Sequence, residues 1–115
     1  AILDEENLEE PFERSGTRLL MSHEWCYHFD AIIKKYPEAW IQLIYREDVT
    51  SYNWWKQAGG FDITYPDYSW YQDDETMFFK IYEQNQLILD FAQKHVLQWT
   101  QHHKHNDIFI AVYKP

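Results

Sequence analysis

The run DDETMFFKIYEQNQLILDFAQKHVLQWTQ, residues 73–101, decides the fold. It opens on Asp73, Asp74 and Glu75, whose negative charge complements the positive dipole end of a helix start. Behind them Phe78, Ile81, Tyr82, Ile88, Leu89, Ala92, Val96 and Trp99 recur at intervals of three and four. Glu83, Gln86, Asp90, Gln93, Lys94, Gln98 and Gln101 fall on the opposite side. The stripes stay opposed for roughly six turns at 3.6 residues per turn, so one long helix over about 75–104 is expected. Its core face would be Phe78, Ile81, Leu89, Val96 and Trp99. A competing reading makes 77–82 a strand and starts the helix near Gln84.

Downstream, Ile108 to Tyr113 is a nearly pure apolar run between Asn106-Asp107 and Lys114-Pro115, the pattern of a buried strand. Such a strand needs neighbours, and the candidates are 40–46 and 61–65. Residues 40–46 have the β-branched and aromatic content of a half-buried strand, although Pro37-Glu38-Ala39 would also suit a helix start. From Ser22, Trp25/Cys26, Phe29, Ile32/Ile33 and Tyr36 predict an amphipathic helix capped by Ser22. That helix should stop before Pro37, which pushes its predecessor out of the helical region. A short helix is expected from Thr50 or Ser51 to Ala58, closed by the left-handed turn that Gly59-Gly60 permits. The segment 61–71, broken by Pro66, reads as extended structure or an edge strand. The fold class that follows is α+β: an acidic arm over 1–20, then a single domain over 21–115 with two main amphipathic helices packed on a small sheet.

At 115 residues the chain suits one hydrophobic core, and its 45% apolar and 19% aromatic content excludes a disordered acidic tail. Three Gly and four Pro argue against a phosphate-cradling Gly loop and against a turn-rich β-sandwich. Nineteen acids against ten bases give a charge of −9, which repels phosphate backbones, favours a basic protein partner and speaks against direct nucleic-acid binding. The single Cys26 forms no internal disulfide, and the acidic N-terminus is unlike a signal peptide. No apolar stretch is long enough to span a membrane. A cytoplasmic location is the expectation that follows.

Chemistry-bearing groups are scarce. His23 and His28 are five apart, where a zinc-protease helix needs its two His four apart on one face. His102, His103 and His105 cluster at the expected end of the long helix, where they would complement its dipole without any metal. Cys26 falls on an apolar stripe, where a thiol is inert. No nucleophile elbow, P-loop, Cys-x-x-Cys or dinucleotide fingerprint is present, so the reading leans away from an enzyme without deciding the point and assigns no catalytic residue, metal or cofactor.

What stands out is the coincidence of rings and carboxylates between Tyr52 and Glu75. From Phe61 to Glu75 five acids occur with no Lys or Arg, interleaved with large rings. Aromatic side chains bury much area while keeping a polar handle, which suits a recognition surface. The candidate partner-binding residues are Tyr65, Asp67, Tyr68, Trp70, Tyr71, Asp73, Asp74 and Glu75. Trp54, Trp55 and Phe61 are as readily core as surface. The function expected is an acidic binding protein acting by protein–protein contact, such as an inhibitor or immunity-type antagonist of a basic toxin, nuclease or nucleic-acid enzyme. The alternatives are an accessory subunit of a larger complex and a small ligand- or carbohydrate-binding domain.

Overall fold

The structure, a computed structural model, describes residues 21–63 and 73–115. The acidic arm over 1–20 and the segment 64–72 lie outside the described residues. What is described is α+β. A 3-10 turn over His23–His28 leads into helix α1 (Phe29–Lys35), then strand β1 (Ile41–Tyr45), helix α2 (Asp48–Gln57) and a 3-10 turn over Gly60–Asp62. Helix α3 (Asp74–Lys94), strand β2 (Thr100–Gln101) and strand β3 (Phe109–Tyr113) complete it. The sheet is antiparallel in the order β1-β3-β2, with Leu43 opposite Ala111 and Ile110 opposite both Ile44 and Thr100.

One sheet face carries Ile41, Leu43 and Tyr45 with Phe109, Ala111 and Tyr113, and the long helix covers it. Leu43 and Ala111 are buried against Ile88, Phe91 and Ala92 of α3 and against Cys26 and Phe29. Phe91 is the hub: its ring centroid lies 4.4 Å from Phe29 and 5.5 Å from Tyr113. A second, smaller cluster joins Trp55 to Met77, with Tyr52, Ile63 and Ile81 around them. The helix therefore packs on the sheet with its C-terminal half and on α2 with its N-terminal half.

Local chemistry sets the element ends. Ser22 caps the first turn as expected, its Oγ accepting from Glu24 N at 3.1 Å. The stretch 22–36 is divided, however: His28 leaves helical geometry (φ −125°, ψ 17°), so a 3-10 turn precedes a short α-helix that stops at Lys35 before Pro37. Helix α2 starts earlier than Thr50 because Glu47 caps it, its carboxylate accepting from Val49 N and Thr50 N at 2.9 and 3.1 Å. It ends where Gly59 (φ +127°) and Gly60 (φ +55°) take left-handed backbone. Phe61 and Asp62 belong to a 3-10 turn rather than an edge strand, so among the described residues β3's second neighbour is β2 and not 61–65.

The largest correction concerns α3. Asp73 is its N-cap as the acids suggested, accepting from Thr76 N at 2.8 Å. The helix nevertheless ends at Lys94 and not near 104. Val96 takes φ +54°, Leu97 N donates to Ala92 O (3.1 Å) and Val96 N donates to Gln93 O (3.4 Å). This pair of bonds is the Schellman closure, with a valine where glycine is usual. Val96, expected in the core, is 88% exposed. Trp99 still reaches the core edge, 6.0 Å from the Tyr45 ring, but from beyond the helix. The buried face of α3 is Met77, Gln84, Asn85, Ile88, Phe91 and Ala92, rotated from the expected stripe because it includes two amides.

The histidine cluster is likewise not at a helix end. It forms the turn between β2 and β3, where His102 Nδ1 accepts from Lys104 N and His105 N at 3.1 and 3.0 Å. Gln101 Nε2 donates to the Asn106 carbonyl across the same turn.

Candidate functional site

Of the residues singled out from sequence, Asp73, Asp74 and Glu75 are described and all three are exposed; Tyr65, Asp67, Tyr68, Trp70 and Tyr71 lie outside the described residues. The three acids have different local roles. Asp73 is committed to capping, and the hydrogen bond from Thr76 N holds its carboxyl below the ordinary aspartate value. Asp74 pairs with Lys56 at 3.2 Å, tying the start of α3 to the end of α2. Glu75, in the first turn, points its charge to solvent.

Glu75 continues into a surface the sequence did not reveal. One turn on is Phe79, 57% exposed, and beyond it Tyr82, 44% exposed, with ring centroids 6.4 Å apart. Glu83, four residues after Phe79, flanks them on the same helical face. Tyr27 from the first 3-10 turn borders this patch. Burial pushes its phenol up to about 12, with the Gln84 side chain opposing and Glu83 reinforcing the shift. Lys80 lies between, 3.4 Å from Glu83 and 5.9 Å from the Tyr27 ring. Phe79 was legible in principle: it falls outside the apolar stripe set by Phe78, Ile81 and Ile88, and an off-register phenylalanine is a sign of exposure. Tyr82, expected on the core stripe, lies instead at its margin.

Trp55 is buried and Trp54 and Phe61 are exposed, so the uncertain trio divides. Phe61 stacks edge-on against Trp55 at 4.8 Å. The Arg46 guanidinium lies 4.6 Å above the Trp54 ring.

On the other side of α3 a cleft of about 320 Å³ opens between α3, α2 and the end of β1. Ile44, Trp54, Trp55, Met77, Ile81 and Ile88 make its walls apolar. Its polar lining consists of His23, Arg46, Ser51, Lys80, Gln84 and Asn85. Desolvation lowers the His23 imidazole below its ordinary value, with Glu24 opposing, while the residue keeps solvent access at the cleft mouth.

Cys26 is buried among apolar side chains, which pushes its thiol up to about 12 and leaves it protonated and inert at neutral pH. Among the described residues no group of three His, Cys, Asp or Glu is placed to hold a metal ion, and no helix is long and apolar enough to cross a membrane.

Compared with known proteins, the chain matches no family model, no curated protein and no solved structure.

Proposed function

We propose that this chain is a binding protein that captures a basic protein partner through the face of α3 bearing Glu75, Phe79, Tyr82 and Glu83. The observation that carries this reading is the exposed Phe79–Tyr82 ring pair set between carboxylates on a regular helix. Exposed rings on a rigid element supply desolvated area at low entropic cost, and flanking acids steer a cationic surface onto them. The net charge of −9 extends that attraction beyond the contact itself. Basic surfaces of toxins, nucleases and other nucleic-acid enzymes have the required charge, so the finer reading is an inhibitor or immunity-type antagonist that covers such a surface.

The test is affinity capture from the native source with three baits: the wild type, Phe79→Ser/Tyr82→Ser, and Trp40→Ser as an exposed-aromatic control. A basic protein retained by the wild type and the control, and lost from the double variant, supports the reading. An identical set of proteins on all three baits, or an acidic partner, contradicts it.

A further inference from the structure

The cleft on the opposite side of α3 has a chemistry of its own. Among the described residues its lining includes Arg46, Lys80 and His23 but no Asp or Glu, in a chain where acids outnumber Lys and Arg nineteen to ten. Acids reach Arg46 and Lys80 from outside the lining, while desolvation holds the His23 imidazole below its ordinary value and keeps it from adding charge at neutral pH. Asp107 Oδ2 lies 3.1 Å from Arg46 Nε without in-line hydrogen-bond geometry, and Glu83 lies 3.4 Å from Lys80 Nζ. Arg46 is held rather than floating: its side chain is largely buried and its guanidinium is stacked on Trp54.

A second, independent feature is the Gln84 amide. Gln84 is 6% exposed, lines the cleft, and its Nε2 has no hydrogen-bond partner among the described residues. The Gln84 side chain is within hydrogen-bonding reach of the Tyr27 hydroxyl, where it opposes the rise in the phenol, but the contact falls short of good geometry and leaves Nε2 under-satisfied. A buried amide donor left unpaired costs free energy and calls for an acceptor. Asn85, by contrast, spends its Nδ2 on the Arg46 carbonyl and the Asp48 carboxylate.

We propose that this cleft binds a small organic carboxylate carried on a flat apolar body. Arg46, Lys80 and Gln84 supply donors and positive charge for the carboxylate, and the walls of Trp54, Trp55, Ile81 and Ile88 take the body. A pocket of this size is at the lower end of the range for small-molecule sites and admits a ligand of roughly a dozen non-hydrogen atoms. A monoanion fits better than a phosphate dianion because Asp107 already offsets part of the Arg46 charge. The lining shares no residue with Glu75, Phe79, Tyr82 and Glu83 and touches that face only through the Lys80–Glu83 pair, so Gln84 and Arg46 variants test the cleft separately from the partner-binding reading.

The probes are 3-phenylpropionate and indole-3-propionate, with 3-phenylpropionamide as the uncharged counterpart, titrated into the full chain and followed by tryptophan fluorescence and backbone amide shifts. Saturable binding by at least one carboxylate below about 20 mM, with the amide roughly tenfold weaker or worse, is expected. Shifts should concentrate at residues 44–46, 51–55 and 77–88. Gln84→Leu and Lys80→Gln should each weaken the carboxylate while leaving the far-ultraviolet spectrum unchanged, and Arg46→Lys should weaken it because the planar fork is lost. Failure of both carboxylates to saturate, a preference over the amide of less than about tenfold, or shifts that map elsewhere would overturn the proposal.

Discussion

Asn85 Nδ2 donates to the main-chain carbonyl of Arg46 at 2.8 Å, and the same nitrogen reaches the Asp48 carboxylate at 2.7 Å. Ser51 Oγ donates to that same carbonyl at 2.8 Å. One buried amide thus joins the end of β1, the first turn of α2 and the middle of α3, and fixes both the wall of the cleft and the angle at which α3 is presented. Asn85→Leu should cost about 1–3 kcal/mol, because the part-buried Asp48 carboxylate loses its amide donor and the Arg46 carbonyl keeps only Ser51. Asn85→Asp should be worse at neutral pH, where two carboxylates would face each other, and recover as the pH falls toward about 4 and one is protonated. Denaturant melts of both variants across pH 4–7 check this. A pH-independent Asn85→Asp would contradict it.

Val96 stands at φ +54° and is almost wholly exposed, so its side chain contributes strain and little packing. A β-branched residue in left-handed backbone is disfavoured by roughly 1–2 kcal/mol. Val96→Gly should therefore stabilise the fold by up to about 1 kcal/mol after the extra freedom of glycine in the unfolded chain is counted. A lower melting temperature would mean that the left-handed closure of α3 is not as described.

Ile88 is buried between the sheet and α1, whereas Leu89 is only half-buried and lies outside the core cluster. Ile88→Ala should cost about 2–5 kcal/mol and Leu89→Ala less than about 1. The reverse order in urea melts would place the wrong face of α3 against the sheet.

These residues also show what could be read before the fold was known. Apolar runs located β1, β3 and the body of α3, and charge located the start of α3, because burial and dipole complementarity act on neighbouring residues. The end of α3 was hidden because its Schellman closure uses Val96 in place of a glycine, so the periodic pattern runs on past the true stop. The rotation of the buried face was hidden because Gln84 and Asn85 are polar residues that look like surface, and the partners that receive the Asn85 amide, Arg46 and Asp48, come from far along the chain. Of the partner-binding candidates only Asp73, Asp74 and Glu75 fall among the described residues, and Tyr82 of the exposed pair Phe79–Tyr82 follows the apolar stripe that the sequence assigns to the core. Phe79 lies off the apolar register and so signals its exposure, whereas Tyr82 sits at the margin of the stripe, where periodicity does not separate an exposed ring from a buried one.

Two caps make the helices sensitive to acid. Asp73 and Glu47 are held below their ordinary values by backbone N–H donors, Thr76 for the first and Val49 then Thr50 for the second. A depressed folded value means that the contribution is complete above the ordinary carboxylate range and disappears as the pH falls through the lower folded value. Helicity and melting temperature should fall on that limb. Asp73→Asn, which caps without titrating, should have a shallower acid dependence than the wild type. Equal slopes would remove Asp73 from the account.

The central claim is that an acidic helix face with exposed rings captures a basic protein. The most direct test is the kinetics of binding to the protein recovered by affinity capture, measured from about 0.05 to 0.5 M salt, a span over which the Debye length shrinks from well over 10 Å to a few Å. Association should slow steeply while dissociation changes little, Glu75→Lys should slow association, and Phe79→Ala or Tyr82→Ala should speed dissociation at a cost of roughly 2 kcal/mol or more each. Association that ignores salt, together with dissociation unchanged by either ring deletion, would contradict the claim.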